Sequence, residues 1–176
     1  MSSREITALE APDSHFLNAA EGWFELGDCA EASAELAQLS ETGTSHPHTL
    51  QLRWAIHARL EEWEKARDVA DALVEGAPEM EAGWIHRAYA TRRMPGGTIE
   101  SAWLSLYPAA KLFPNEPIIP YNLACYECQL GRLSEAKAWL ERALRIPKSE
   151  PEKRTIRRMA LDDTDLEPLW PEIETM

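Results

Sequence analysis

The sequence has few of the residues and segments that mark secreted or membrane proteins. It contains only three cysteines in 176 residues, an odd number that fits a reducing compartment better than a disulfide framework. No apolar run approaches the roughly 18 residues that a membrane-spanning helix needs. The first residues, MSSREITALEAPDSHF, lack the basic flank and apolar core of a secretory signal. We therefore predict a cytoplasmic protein with no membrane partner.

Positive charge is also scarce. The chain has 18 lysines and arginines against 30 aspartates and glutamates, a net charge of −12. Residues 1–46 alone hold nine acidic residues and one basic residue. Because phosphate binding needs a coherent basic surface, the composition predicts that nucleic acid is not a partner.

The motifs of common catalytic and cofactor sites are missing as well. The sequence contains no Walker phosphate loop, no G-x-S-x-G, no H-E-x-x-H and no G-x-G-x-x-G. His46 and His48 form an H-x-H pair that we expect in the loop between the first two units, beside a proline, with no carboxylate or cysteine at a ligand spacing. The acidic run at 162–165 lacks the glycine and glutamate of an EF-hand loop. We predict a protein that is not an enzyme and has no cofactor and no metal.

What the sequence does contain is a repeat. Four amphipathic segments each carry an alanine at the same place, and these alanines are 34, 36 and 34 residues apart. Another amphipathic segment precedes each of them, and a turn signal separates the two, as at Gly27, Glu61 and Gly131. This pattern predicts successive helix–turn–helix units. The four alanines are Ala32, Ala66, Ala102 and Ala136.

The period and the residue pattern resemble the tetratricopeptide repeat (TPR) family, over residues 13 to 148. The resemblance implies an all-α fold, a right-handed α-solenoid of about four helix–turn–helix repeats with a C-terminal capping helix. We expect an N-terminal extension at 1–12, repeats at 13–46, 47–80, 81–116 and 117–148, and a capping helix and docking tail at 149–176. The fourth unit matches the family through Leu123, Ala124, Gly131, Ala136, Leu140, Ala143 and Pro147.

The segment after the fourth unit predicts the cap. Ser149 and Glu152 form a capping box, with Pro151 in the first turn. Thr164 and Glu167 predict a second capping box, for a short docking helix. The ending ALDDTDLEPLW resembles the closing segment of some bacterial repeat proteins, which makes this chain similar to a small bacterial-type TPR protein.

Several bulky or rigid residues depart from the repeat pattern or are predicted to lie in the core. Trp54 stands where the other units have alanine. Pro108 falls inside the second helix of the third unit, where it should free the carbonyl of Leu104 and kink the helix. Trp63, at a helix start, should be partly exposed. Four tryptophans are predicted to lie in the core: Trp23, Trp54, Trp84 and Trp139.

The resemblance also implies a function, because in the TPR family the first helix of each pair lines a groove that binds a peptide or a partner helix. We expect a non-enzymatic protein-binding adaptor whose ligand has apolar anchors and one or two acidic groups. Arg59, Arg92 and His86 would attract those acidic groups. The predicted groove residues are Leu17, Glu21, His48, Gln51, Ala55, Arg59, Ile85, His86, Tyr89, Arg92, Tyr121, Asn122, Cys125 and Gln129.

One branch of the family holds the C-terminal carboxylate of chaperones with lysine, asparagine and arginine at set groove positions. Neither possible alignment of this chain supplies such a clamp, so chaperone tails are not expected ligands. The matching positions hold Leu17, Glu21, Leu52, Ala82 and His86 or, one unit further on, Gln51, Ala55, His86, Ile118 and Asn122.

Two other functions stay open. Cys125 and Cys128 form a C-x-x-C pair, and residues three apart share a helix face. We expect this pair on the exposed, groove-lining face of the fourth unit's first helix, but a thiol- or metal-dependent enzyme or sensor is an alternative. The other is a self-assembling structural protein, in which exposed faces such as that around Trp63 join subunits. A homo-oligomer is compatible with both of these alternative functions.

Overall fold

A computed structural model describes residues 7–174, and all regular secondary structure in that range is helical. Residues 1–6 of the predicted N-terminal extension lie outside the described range. The chain divides into two compact units, one up to Gly96 and one from Gly97. The first unit contains α1 (Asp13–Glu25), α2 (Cys29–Leu36), α3 (Glu41–Thr44), α4 (Pro47–Arg59), α5 (Trp63–Gly76) and α6 (Glu81–Arg93).

The second unit is a compact body of its own. Its division from the first unit falls within the predicted third repeat, and the predicted repeat boundaries stay a prediction. It contains α7 (Ile99–Leu106), α8 (Ala109–Leu112), α9 (Ile118–Gln129), α10 (Leu133–Arg145), α11 (Glu150–Asp162), a 3-10 helix (Thr164–Leu169) and α12 (Trp170–Ile173).

Buried alanines lie on the packed helices of both units. In the first unit α1 packs on α2, α4 on α5, and α5 on α6, and in the second α9 packs on α10. A methyl side chain at a crossing lets two helix axes approach closely, and larger apolar side chains fill the grooves on either side. The four periodic alanines of the sequence are all completely buried: Ala32, Ala66, Ala102 and Ala136.

A short helix that the sequence did not predict, α3, connects α2 to α4. Ser40 caps this helix, and its backbone N–H donates to Oδ1 of Asp13 at 2.9 Å while its hydroxyl donates to Oδ2. These hydrogen bonds hold the pKa of Asp13 below its usual value. Gly43 packs directly on the Asp13 carboxylate, where any Cβ would collide with it. The loop is therefore fixed to the start of α1.

Proline and tryptophan placement agrees with the sequence only in part. Pro108 does interrupt its helix, since α7 ends at Leu106 and α8 begins at Ala109. Trp54 and Trp139 are half-buried, as is Trp63. The prediction that Trp23 lies in the core is wrong, because 38% of its surface is exposed.

The C-terminal cap forms as predicted at its start and differently at its end. Ser149 and Glu152 make both hydrogen bonds of the capping box. The second predicted box is wrong: the residue that caps the 3-10 helix is Asp163, whose Oδ1 accepts from the Asp165 N–H at 3.0 Å. The tail then buries three aliphatic side chains to 1% exposure or less, those of Leu166, Leu169 and Ile173.

The length and the apolarity of a helix decide whether it can cross a membrane. Within residues 7–174, none of the helices combines the length and the apolar character that crossing a bilayer requires.

Three turns between paired helices share one backbone conformation. Gly27, Glu61 and Gly131 have φ values of +89°, +56° and +75°. In each turn the N–H of this residue donates three residues back and the next N–H donates five residues back, as for Glu62 to the His57 carbonyl at 2.9 Å. This left-handed helix end favours glycine, and only the second turn has a residue with a Cβ.

Replacing Glu61 by glycine should therefore stabilise the protein. We expect Glu61→Gly to raise the free energy of unfolding by about 1 kcal/mol, because it relieves the left-handed strain, and Gly131→Ala to lower it by a similar amount. Urea unfolding monitored by circular dichroism measures both. Glu61→Ala is the matched control, since it removes the side chain and keeps the strain. Equal stability of the glycine and alanine variants would contradict this account.

Candidate functional site

The predicted groove residues divide between the two units and differ in exposure. In the first unit they lie on α1, α4 and α6, and except for Leu17 their side chains are exposed or half-buried. In the second unit they lie on α9, where Tyr121 and Cys125 are buried, Asn122 is half-buried and Gln129 is exposed.

In the first unit an aromatic cluster joins α4, α5 and α6. The indole of Trp54 stacks on the imidazole of His86, with ring centroids 3.8 Å apart and planes within 5°. Tyr89 lies 5.9 Å from Trp54 and 5.8 Å from Trp63. The Arg93 guanidinium lies 3.5 Å from the centroid of the Tyr89 ring. Trp54, the residue that departs from the alanine pattern, thus fills the space between the first helices of two successive pairs.

The imidazole of His86 is neutral at neutral pH. Burial lowers its pKa from 6.5 to about 4, because a charged ring would lose its hydration in this stack. The expectation that His86 adds positive potential is therefore wrong. Its contribution to the surface is an apolar, stacked ring.

The positive charge near this surface comes from arginines that lie on aromatic rings. Arg59 lies 3.6 Å above the Phe24 ring and also donates to the Phe24 carbonyl at 2.5 Å. Arg93 is held in the same way over Tyr89. Such contacts orient a guanidinium and leave its charge intact. The first unit can therefore offer an apolar surface with fixed cations at its edge.

In the second unit the chain's own C-terminal segment covers the predicted groove positions of α9. The Tyr121 hydroxyl donates to Oδ2 of Asp163 at 2.9 Å, and the Cys125 thiol donates to the same oxygen at 3.5 Å. The Gln129 side chain donates to the Asp165 carbonyl at 3.4 Å. The face of α9 that the sequence assigned to a ligand is therefore occupied from within the chain.

The two cysteines are consequently not on an exposed face. Cys125 and Cys128 are 3% and 5% exposed, so that prediction is wrong. Burial, with the charges of Asp165 and Asp163, raises the pKa of the Cys128 thiol. Burial also raises the pKa of Tyr121. A raised thiol pKa lowers the fraction of nucleophilic or metal-binding thiolate.

Of the two histidines of the H-x-H pair, His46 has a structural role. Nδ1 of His46 accepts from the His48 N–H at 3.3 Å and so caps α4, and Nε2 of His46 lies 2.9 Å from the Thr7 carbonyl oxygen. In the part of the chain that the structure describes, no three histidine, cysteine or acidic side chains are grouped to hold a metal ion.

Comparisons with known proteins show which solved structures have a similar arrangement of helices. No protein-family model matches the sequence, and no curated protein matches it. The solved structure of TTC0263, a thermophilic TPR protein in Thermus thermophilus, superposes with a TM-score of 0.66 and 18% identity, covering 93% of this chain and all of that chain (100%). The structure of MamA MSR-1 C2 superposes with a TM-score of 0.62 and 16% identity, covering 78% of this chain and 80% of that chain.

The chain has the tetratricopeptide repeat fold. The recognition of the TPR pattern in the sequence is thereby confirmed, as is the all-α helical repeat that it implied.

Sequence reasoning on the TPR pattern missed two residues of these sites. Arg93 lies four residues after Tyr89, a spacing that places both on one helix face, and this signal was present in the sequence. Asp163 contacts Tyr121, which is 42 residues away along the chain. No local pattern indicates that contact.

The neutral His86 should make stability depend on pH. Its pKa is about 6.5 unfolded and about 4 folded, so the unfolded chain binds the extra proton. The stability that the neutral His86 ring contributes is fully present above pH 6.5 and is lost as the pH falls toward 4. Between about pH 7 and pH 5, His86 should lower the free energy of unfolding by about 2 kcal/mol.

Urea unfolding at the two pH values measures this loss. His86→Phe keeps a stacked ring that cannot titrate. Its free energy of unfolding should therefore fall by about 2 kcal/mol less than that of the wild type between the two pH values. His15→Gln, at an exposed histidine, is the control and should behave as the wild type. An undiminished pH dependence in His86→Phe would show that the imidazole titrates normally in the fold.

The tail should protect the thiols of α9. We expect Cys125 and Cys128 to react slowly with a thiol reagent, and Leu166→Ala, which removes a fully buried tail side chain, to speed their reaction by at least about tenfold. Mass spectrometry of the labelled peptides separates them from Cys29, which lies in the first unit and should not change. Glu167→Ala, at an exposed tail position, is the matched control. Fast labelling in the wild type would mean that the tail does not cover α9.

Proposed function

We propose that the protein is a non-enzymatic protein-interaction scaffold that binds a polypeptide segment on the first unit, along α4 and α6. The observation that carries this proposal is the half-exposed aromatic cluster. Tyr89 is 36% exposed although Trp54, Trp63 and Arg93 hold it in place. A rigid, partly exposed aromatic ring is the kind of residue that supplies much of the energy at protein interfaces.

The ligand chemistry follows from the neighbours of that ring. Ile85 on α6 and Ala55 on α4 are half-buried and would contact an apolar anchor of the ligand. Arg59 and Arg92 would attract a carboxylate next to that anchor. His86, being neutral, contributes an apolar ring and no charge. We therefore infer a ligand with an apolar side chain and an acidic group, in keeping with the sequence-based hypothesis.

The positions on α9 do not take part in this proposal, because the C-terminal segment covers them. The same cover opposes the thiol-dependent alternative. A catalytic thiol needs a lowered pKa and access to its substrate, whereas Cys128 has a raised pKa and both thiols are buried.

Charge reversal at Arg92 tests the binding surface. Tagged wild-type protein and the Arg92→Glu variant would be used to capture partners, which mass spectrometry identifies. We expect at least one partner to bind the variant on the order of tenfold more weakly, because a like charge would face its carboxylate. Purified partner and isothermal titration then give the two affinities.

The matched control is Arg145→Glu, at an exposed arginine on α10, which should bind as the wild type. Circular dichroism shows whether each variant is folded. Partners that bind the Arg92→Glu and Arg145→Glu variants equally well would contradict the charge assignment. If light scattering shows that the captured partner is a second copy of this chain, the protein is a self-assembling one instead.

A further inference from the structure

The second unit has an apolar surface that the proposed function does not use. Tyr107 and Leu112 are 48% and 49% exposed, and the neighbouring Leu104 is 66% exposed. Large exposed apolar side chains grouped together on a protein surface mark interaction sites more often than chance exposure does. Tyr107 and Leu112 line a cavity of about 650 Å³, here called the Trp139 pocket, whose walls also include Lys111, Pro114, Trp139 and Arg142.

The break at Pro108 forms one wall of this pocket. Tyr107 follows the end of α7 in a helical conformation, so its ring lies one turn beyond Trp103 and stacks on it, with centroids 4.5 Å apart and planes 19° from parallel. The same ring meets Trp139 of α10 edge-on, at 6.2 Å and 90°. Two aromatic contacts thus hold Tyr107 in place while nearly half of its surface stays exposed.

The charged residues of the pocket wall are both positive. Arg142 donates to the Ala110 carbonyl at 2.6 Å and its guanidinium lies 5.3 Å from the Trp139 ring, so its position is fixed. Lys111 is exposed. In a chain whose net charge is −12, two cations beside an aromatic cavity give it a charge opposite to that of the molecule as a whole.

We propose that the Trp139 pocket is a second docking site, which takes a segment of a partner protein that presents a bulky apolar side chain next to a carboxylate. The apolar side chain would fill the space between Tyr107, Leu112 and Trp139. The volume of the pocket is in the range of cavities that hold small ligands or single anchor side chains. The carboxylate would face Lys111 and Arg142. This site lies within the second unit and does not depend on the surface proposed for the first.

Nuclear magnetic resonance of the full-length, ¹⁵N-labelled protein tests the pocket. The probe is a short synthetic peptide with one phenylalanine between glutamates, added to millimolar concentration. The indole N–H signals of Trp103 and Trp139, assigned with Trp→Phe variants, should shift. The signals of Trp54 and Trp63 are followed separately, because the surface proposed for the first unit would take a ligand of the same chemistry, so only shifts of Trp103 and Trp139 count as binding at the pocket. A peptide with glutamines in place of the glutamates should bind on the order of tenfold more weakly, because it lacks the charge.

Lys111→Glu should weaken binding of the acidic peptide to a similar degree and leave the glutamine peptide unaffected. Arg158→Glu, which reverses an exposed charge on α11, is the matched control and should bind both peptides as the wild type does. Circular dichroism of each variant shows that it is folded.

Three results would overturn the proposal. The first is no shift of the Trp103 and Trp139 signals with either peptide, and the second is equal binding of the two peptides. The third is self-association of the protein, seen by light scattering and abolished by Tyr107→Glu, because the occupant of the pocket would then be a second copy of this chain.

Discussion

The structure depends on the close approach of helices at alanine. The alanines that recur at near-constant spacing in the sequence are all fully buried, and a larger side chain at such a crossing would push two helix axes apart. Trp54 departs from a second alanine position, which Ala20, Ala88 and Ala124 hold in the other units. Its indole stacks on the ring of His86, with centroids 3.8 Å apart. The candidate binding surface of the first unit is therefore a consequence of one departure from the repeat.

The sequence predicted those features that are written in local spacing. The alanine period predicted the helical repeat, and Ser149 with Glu152 predicted the start of the cap, because both depend on residues within one or two turns of each other. Two features that the sequence did not predict depend on contacts between distant residues. Asp13 fixes Ser40, 27 residues later, and Asp163 reaches Tyr121, 42 residues earlier. Neither contact has a periodic signal.

The C-terminal segment explains why the cysteine pair, which the sequence predicted to be exposed, is buried. The helical spacing of Tyr121, Cys125 and Gln129 places them on one face of α9. What the sequence could not show is that Asp163 and the following aliphatic residues cover that face. The covering segment combines a carboxylate with buried leucines. This is the same chemistry that we propose for the ligand of the first unit.

The cations of this acidic chain show how such a ligand could be attracted. An arginine that pairs with a carboxylate is neutralised, as Arg132 is beside the buried Glu127 at 3.2 Å. An arginine held on an aromatic ring keeps its charge and has a fixed position. Both proposed sites contain arginines of the second kind, and in the described part of the chain these form no ion pair. Against a net charge of −12, they provide local positive potential where an apolar surface is also exposed. The pairs are Arg59 over Phe24, Arg93 over Tyr89 and Arg142 over Trp139.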